Sequence, residues 1–225
     1  MNEKKIISVL ILALSLLNAK SFGESKKELV KFYNDLGSSY WYDFYCQAPF
    51  KVNKKGKYIS FKVIKSDLYT PRNEYTKKGK INQRAKHIEW EHIMPAQNFG
   101  KHLPCWKEGG RKACQNDPTF AKMEADKQNL VPAIGEINGD RSNFRYAEAP
   151  TNLKYAQYGN CKVYADFKAK RFYPANYSKG WIARSYLYMS KTYNIRLSDQ
   201  ERKLMEAWDK QYPIDEKEKR IRELL

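Results

Sequence analysis

Histidine is scarce in this chain, with His87, His92 and His102 its whole complement. None of the three stands in an H-E-x-x-H pattern, because Glu91 precedes His92 and no histidine lies four residues to either side of it. The inverted H-x-x-E-H order needs histidine where Ile88 stands, and His87 is one residue out of register. This spacing argues against a zinc peptidase. No C-x-x-C occurs, which weakens a structural zinc site as well. Long apolar runs are missing beyond the first twenty residues, and so are repeats and low-complexity linkers. Acid is in short supply too: 25 Asp and Glu face 42 Lys and Arg, for a formal charge of +17.

The one apolar run has the pattern of an export signal. Lys4 and Lys5 precede an uncharged stretch from Ile6 to Ala19, which falls short of the roughly 20 residues that span a bilayer. Small residues at Ser21 and Gly23 suggest cleavage before Glu24. Residues 1–23 then form a signal peptide and 24–225 the mature domain, periplasmic or secreted, with a charge near +15. Such an excess of cations attracts polyanions, nucleic acid foremost, with acidic membrane or wall polymer as the other candidate. Cys46, Cys105, Cys114 and Cys161 make an even count in an exported chain, which implies two disulfides in one of three connectivities. With 42% hydrophobic residues, the mature chain can bury one substantial core.

Periodicity predicts a helix, or two short ones, from about Lys26 to Tyr45 with a break near Gly37. Tyr58 to Ile64 reads as a strand within an otherwise loop-like basic stretch, Lys51 to Lys80. Lys86 to Met94 reads as a strand ended by Pro95, and Pro118 to Lys127 as a short helix. Asn129 to Ile137 is apolar and extended, followed by a turn at Asn138–Asp140 that caps a helix running toward Glu148. Further helices are expected from about Phe167, from Lys179 to Tyr193 and from Ser198 to Gln211. The whole reads as a helix-rich α+β domain.

Two stretches carry candidate chemistry. EWEHIMPAQNFG sets Glu91 beside His92, a carboxylate for a hard cation next to a proton acceptor. Neighbours on a regular strand face opposite ways, so a shared site requires a twist or bend near Pro95. NLVPAIGEINGDRSNFR supplies Asn138, whose amide oxygen suits the same cation. Mg²⁺ keeps most of its waters and takes only one or two protein ligands.

Together with CWKEGGRKAC and MEADKQNLVPAIGEINGDRSNFRYAE, these stretches make the chain resemble the bacterial endonuclease I family, from about Trp41 to the Trp208 region. The family comprises exported, sequence-non-specific nucleases with a ββα-metal site. The resemblance implies His92 as general base and Glu91 and Asn138 as ligands of one divalent cation, Mg²⁺, with Ca²⁺ or Mn²⁺ as alternatives. It also implies Arg111 at the phosphate, Glu124 near His92, and the bridges Cys105–Cys114 and Cys46–Cys161. Arg141 and Arg145 would touch the DNA backbone, or pair with Asp140 and Glu148. The expected enzyme is a monomer acting on DNA, with RNA a second candidate, and leaves 5′-phosphorylated products. Family members are expected to continue into a Gly- and Asn-containing tail, where this sequence has EKEKRIRELL and ends at Leu225. The rival reading is a non-catalytic exported binder of DNA or another polyanion.

Overall fold

A computed structural model describes residues 20–225. The expected signal segment therefore lies, up to residue 19, outside the described residues. Among the described residues, eight α-helices and seven short strands make a mixed α+β fold. The first helix, α1 (Phe22–Leu36), starts at a capping box. Ser21 Oγ accepts from the Glu24 amide, while the Glu24 carboxylate accepts from the Ser21 amide. Gly37, at φ 86°, ends it in a conformation that other residues rarely adopt, and a 3₁₀ turn follows at Ser38–Tyr40.

The basic stretch is less loop-like than expected. Strands β1 (Phe50–Lys55) and β2 (Tyr58–Val63) form an antiparallel hairpin in which Lys55 pairs with Tyr58 across Gly56 and Lys57. Phe50 and Phe61 point inward against Trp90 and Tyr33, so a few apolar anchors suffice to fold a segment that lysines dominate.

The centre of the molecule is a second antiparallel pair, β3 (Ile88–His92) and β4 (Leu130–Ile134), in register from Ile88↔Ile134 to His92↔Leu130. Between them run α2 (Ala96–Gly100), α3 (Pro104–Ala113) and α4 (Pro118–Glu124). Helix α5 (Gly135–Arg141) follows β4 without a loop. Asn138–Asp140 thus lie inside this helix, one turn from its start, rather than in a capping turn ahead of one. Gly135 permits the abrupt switch, since a Cβ there would lie 2.6 Å from Glu89 Oε1 and 2.9 Å from the Arg84 carbonyl. Ser142, at φ 51°, ends the helix well before Glu148.

The outer side of β4 is covered by the segment after the 3₁₀ turn. Phe44 N donates to Pro132 O, and Asp43 accepts from Ile134 N and Cys46 N. The Cys46–Cys161 bridge anchors this segment, its Cα atoms 4.8 Å apart. The region near Phe167 is a hairpin, β6 (Tyr164–Asp166) and β7 (Arg171–Tyr173), beside the short β5 (Arg145–Tyr146), instead of the expected helix. Phe172 and Ala165 anchor it in the main core. Helices α6 (Asn176–Tyr193), α7 (Asp199–Gln211, capped by Ser198) and α8 (Glu216–Leu224) complete the chain. Among the described residues no helix is long and apolar enough to cross a membrane.

Candidate active site

A cleft of about 440 Å³ runs along the outer edge of β3, and all five residues from Ile88 to His92 line it. Strand alternation is kept, with Trp90 and His92 packed toward α1, and Glu89 and Glu91 meeting Asn138 and Arg141 of α5. Neighbours on opposite faces reach one site because the cleft wraps the strand edge. A bend at Pro95 is not what unites them.

His92 is 7% exposed, and its Nε2 lies 2.8 Å from the Glu124 carbonyl. A carbonyl only accepts, so Nε2 carries the proton and Nδ1 keeps a lone pair. Burial pushes the imidazole pKa down to about 3 against the opposing Glu124 bond, and the charges of Arg111, Arg141 and Lys26 push the same way. The ring is thus neutral at ordinary pH.

Glu91 is 3% exposed. Its Oε1 accepts from Tyr45 OH at 2.8 Å and stands 3.1 Å from Arg141 Nη1, while Oε2 has no protein partner among the described residues. Burial raises its pKa to about 7, with Arg141 and Tyr45 pulling it back. Asn138 donates through Nδ2 to Glu89 Oε2 at 3.0 Å, which leaves Oδ1 to the cleft. Glu89 in turn is held by the Nε and Nη2 of Arg84.

Arg111 follows Gly109 and Gly110, where α3 departs from helical angles, inside the Cys105–Cys114 ring. Its Nε donates to Glu124 Oε1 at 2.6 Å, leaving both terminal nitrogens uncommitted among the described residues. Glu124 therefore steadies two expected participants at once, His92 through its carbonyl and Arg111 through its carboxylate.

The two arginines expected at the DNA backbone sit in different surroundings. Arg141 is 1% exposed, and its Nη atoms are spent on Glu91 and on the carbonyls of His92 and Ile93. From the wall of the cleft it supports Glu91 and the end of β3. Arg145 is exposed but lines a separate hollow beside Arg171 and Glu201, away from the cleft. Neither arginine takes the pairing proposed as the alternative, since Asp140 binds Arg72 and Tyr158, and Glu148 binds Lys179 and Trp208.

The sequence reading missed Phe22, Lys26, Arg84 and Glu89 in the cleft and Tyr45 beneath it. Glu89 could have been found, because period-two alternation puts it on the face of Glu91. Phe22, Lys26 and Tyr45 arrive from distant segments with no local signature.

Among the described residues no cluster of three or more His, Cys, Asp and Glu is arranged to hold a metal ion. The donor set present is leaner, one carboxylate oxygen and one amide oxygen facing the same cleft. That suits a hard cation which retains most of its water. Cations outnumber carboxylates around it, with Lys26, Arg84, Arg111 and Arg141 against Glu89 and Glu91. Such a rim draws in an anion.

A buried imidazole with one free nitrogen, a carboxylate, an amide and a guanidinium thus share one cationic cleft. The model of the Endonuclease I family matches residues 21–223, and the chain belongs to that family. It is 45% identical over 198 residues to a periplasmic deoxyribonuclease of Aeromonas hydrophila, covering 88% of this chain and 77% of the relative. An extracellular deoxyribonuclease of the same organism is 44% identical, covering 88% and 80%. Endonuclease-1 of Buchnera aphidicola subsp. Acyrthosiphon pisum is 52% identical over 135 residues, covering 60% and 53%. The chain is thus an endonuclease, and the reading as a non-catalytic binder is set aside.

Proposed function

We propose that the cleft is a single-cation phosphodiesterase centre that cuts DNA, and RNA as a second substrate, without reading sequence. The unit β3–β4–α5 is its ββα scaffold. Glu91 Oε2 and Asn138 Oδ1 would hold one divalent cation, Mg²⁺ in first place, with Ca²⁺ or Mn²⁺ as substitutes. Such an ion, when bound, offsets the negative charge that develops on the phosphate and the leaving oxygen.

His92 Nδ1 takes a proton from the attacking water, while the Glu124 carbonyl fixes which nitrogen does so. Arg111 presents its two terminal nitrogens to a phosphate, a fork matched to that geometry. Arg141 and Tyr45 hold Glu91 Oε1 and so aim Oε2. Attack in line with the 3′ oxygen leaves 5′-phosphorylated ends. The names of the two Aeromonas relatives support DNA as substrate and export as the route.

One observation carries this reading. His92 commits Nε2 to a carbonyl while Glu91 and Asn138, lining the same cleft, each keep one oxygen for it. Supercoiled plasmid incubated with the protein tests it. Nicking with Mg²⁺ that stops with EDTA is the expected result; nicking unaffected by EDTA overturns the cation's role.

A further inference from the structure

The start of α1 reaches into the cleft. The Phe22 ring centroid is 4.6 Å from that of His92, at an interplanar angle of 44°. Phe99 packs against the same imidazole at 6.1 Å. Arg111 Cζ lies 5.5 Å from the Phe22 centroid, and Lys26 Nζ lies 4.7 Å from it.

Among the described residues the imidazole's single hydrogen bond, to Glu124, fixes one ring atom but leaves the ring plane free to pivot. Aromatic packing removes that freedom. We propose that Phe22 is a positioning residue, holding the His92 imidazole plane and the Arg111 fork toward the reacting phosphate, and that the working enzyme retains Ser21 and Phe22. This rests on the nuclease reading given above.

Three further contacts fit that role. The Ser21–Glu24 capping box fixes the first turn of α1. Ser25 Oγ donates to the Ala125 carbonyl at 2.6 Å, next in sequence to the carbonyl that holds His92. Lys127 pairs with Glu28 at 3.4 Å. The first two turns of α1 are therefore fastened to the loop that orients the base. A cut before Glu24, suggested by small residues alone, would remove both Ser21 and Phe22.

The test compares the wild-type chain, Phe22→Ala, Phe22→Tyr and a chain whose mature form begins at Glu24. Steady-state kinetics on duplex DNA are read beside one-dimensional proton NMR of the three histidines. Misplacing a catalytic group by about 1 Å can cost on the order of 100-fold, so Phe22→Ala should lower kcat by about 10- to 100-fold with KM nearly constant. The His92 ring protons should lose their aromatic-ring shift in that variant. Phe22→Tyr should restore kcat to within about threefold, and the chain begun at Glu24 should behave as Phe22→Ala does.

Mass spectrometry of the exported protein should place its first residue at or before Ser21. A wild-type kcat for Phe22→Ala overturns the proposal, as does full activity in protein that begins at Glu24. A loss confined to thermal midpoint, or one that tyrosine does not rescue, also overturns it. If the wild type itself leaves DNA intact with Mg²⁺, the nuclease reading has failed instead.

Discussion

Arg141 shows how much of this cleft is maintained by buried groups. Its guanidinium lies beneath Glu91, bonds two carbonyls at the end of β3 and packs over the Tyr146 ring at 4.5 Å. Removing one partner of a buried ion pair costs about 3–5 kcal/mol, because the other charge is left without compensation. Arg141→Ala should therefore shift the urea midpoint by that order; a shift below about 1 kcal/mol would mean that Glu91 finds other support. His92 makes a second prediction, for metal-free protein. Its folded pKa is depressed to about 3, whereas an unfolded histidine titrates near 6.5. A depressed folded pKa adds stability that is fully present above the unfolded value and is lost as pH falls through the folded one. Urea midpoints in EDTA should fall between about pH 6.5 and 3, with a shallower slope in His92→Gln. Equal slopes in the two proteins would show that the imidazole titrates normally when folded.

At the scale of elements, the strand edge and the disulfide ring each bring side chains to the cleft. Arg111 leaves a helix broken at Gly109 and Gly110 and is tethered by Cys105–Cys114, whose Cα atoms are 5.0 Å apart. Replacing both cysteines by alanine should cost about 2–3 kcal/mol for so short a loop. Plasmid cutting should nevertheless fall well below the unfolding temperature, because Arg111 is released from Glu124. A folded variant with an unchanged rate would detach the ring from catalysis.

The sequence was most legible where one segment sufficed. β3, β4, the α4 segment and the Ser198 cap follow from local patterns of apolar residues, proline and capping side chains. It was least legible where folding depends on distant partners. The β1–β2 hairpin is held by Phe50 and Phe61 against Trp90, and the β6–β7 hairpin by Phe172 in the main core. The same holds within the site. Glu91, His92 and Asn138 stand out in two motifs, but Phe22 enters the cleft, and Tyr45 comes to support it from beneath, only through packing. The burial of Arg141 is likewise not written in its motif.

For the whole molecule, the excess of positive charge governs how substrate arrives. A protein that binds through phosphates displaces counterions, so affinity for duplex DNA measured in EDTA should weaken by at least about tenfold between roughly 50 and 200 mM salt. Random-sequence duplexes of equal length should bind alike; a salt-insensitive or sequence-selective isotherm would contradict phosphate-driven binding. The Cys46–Cys161 bridge, spanning 115 residues, fastens the segment that carries Tyr45 and so couples global stability to the support of Glu91. On the proposed mechanism, a neutral imidazole, a carboxylate and an amide on β3 and α5 carry out phosphodiester hydrolysis. The initial rate of plasmid nicking in Mg²⁺, wild type beside a folded His92→Ala, tests it most directly. The expected result is a loss of about 100-fold or more, and nicking at the wild-type rate would contradict it.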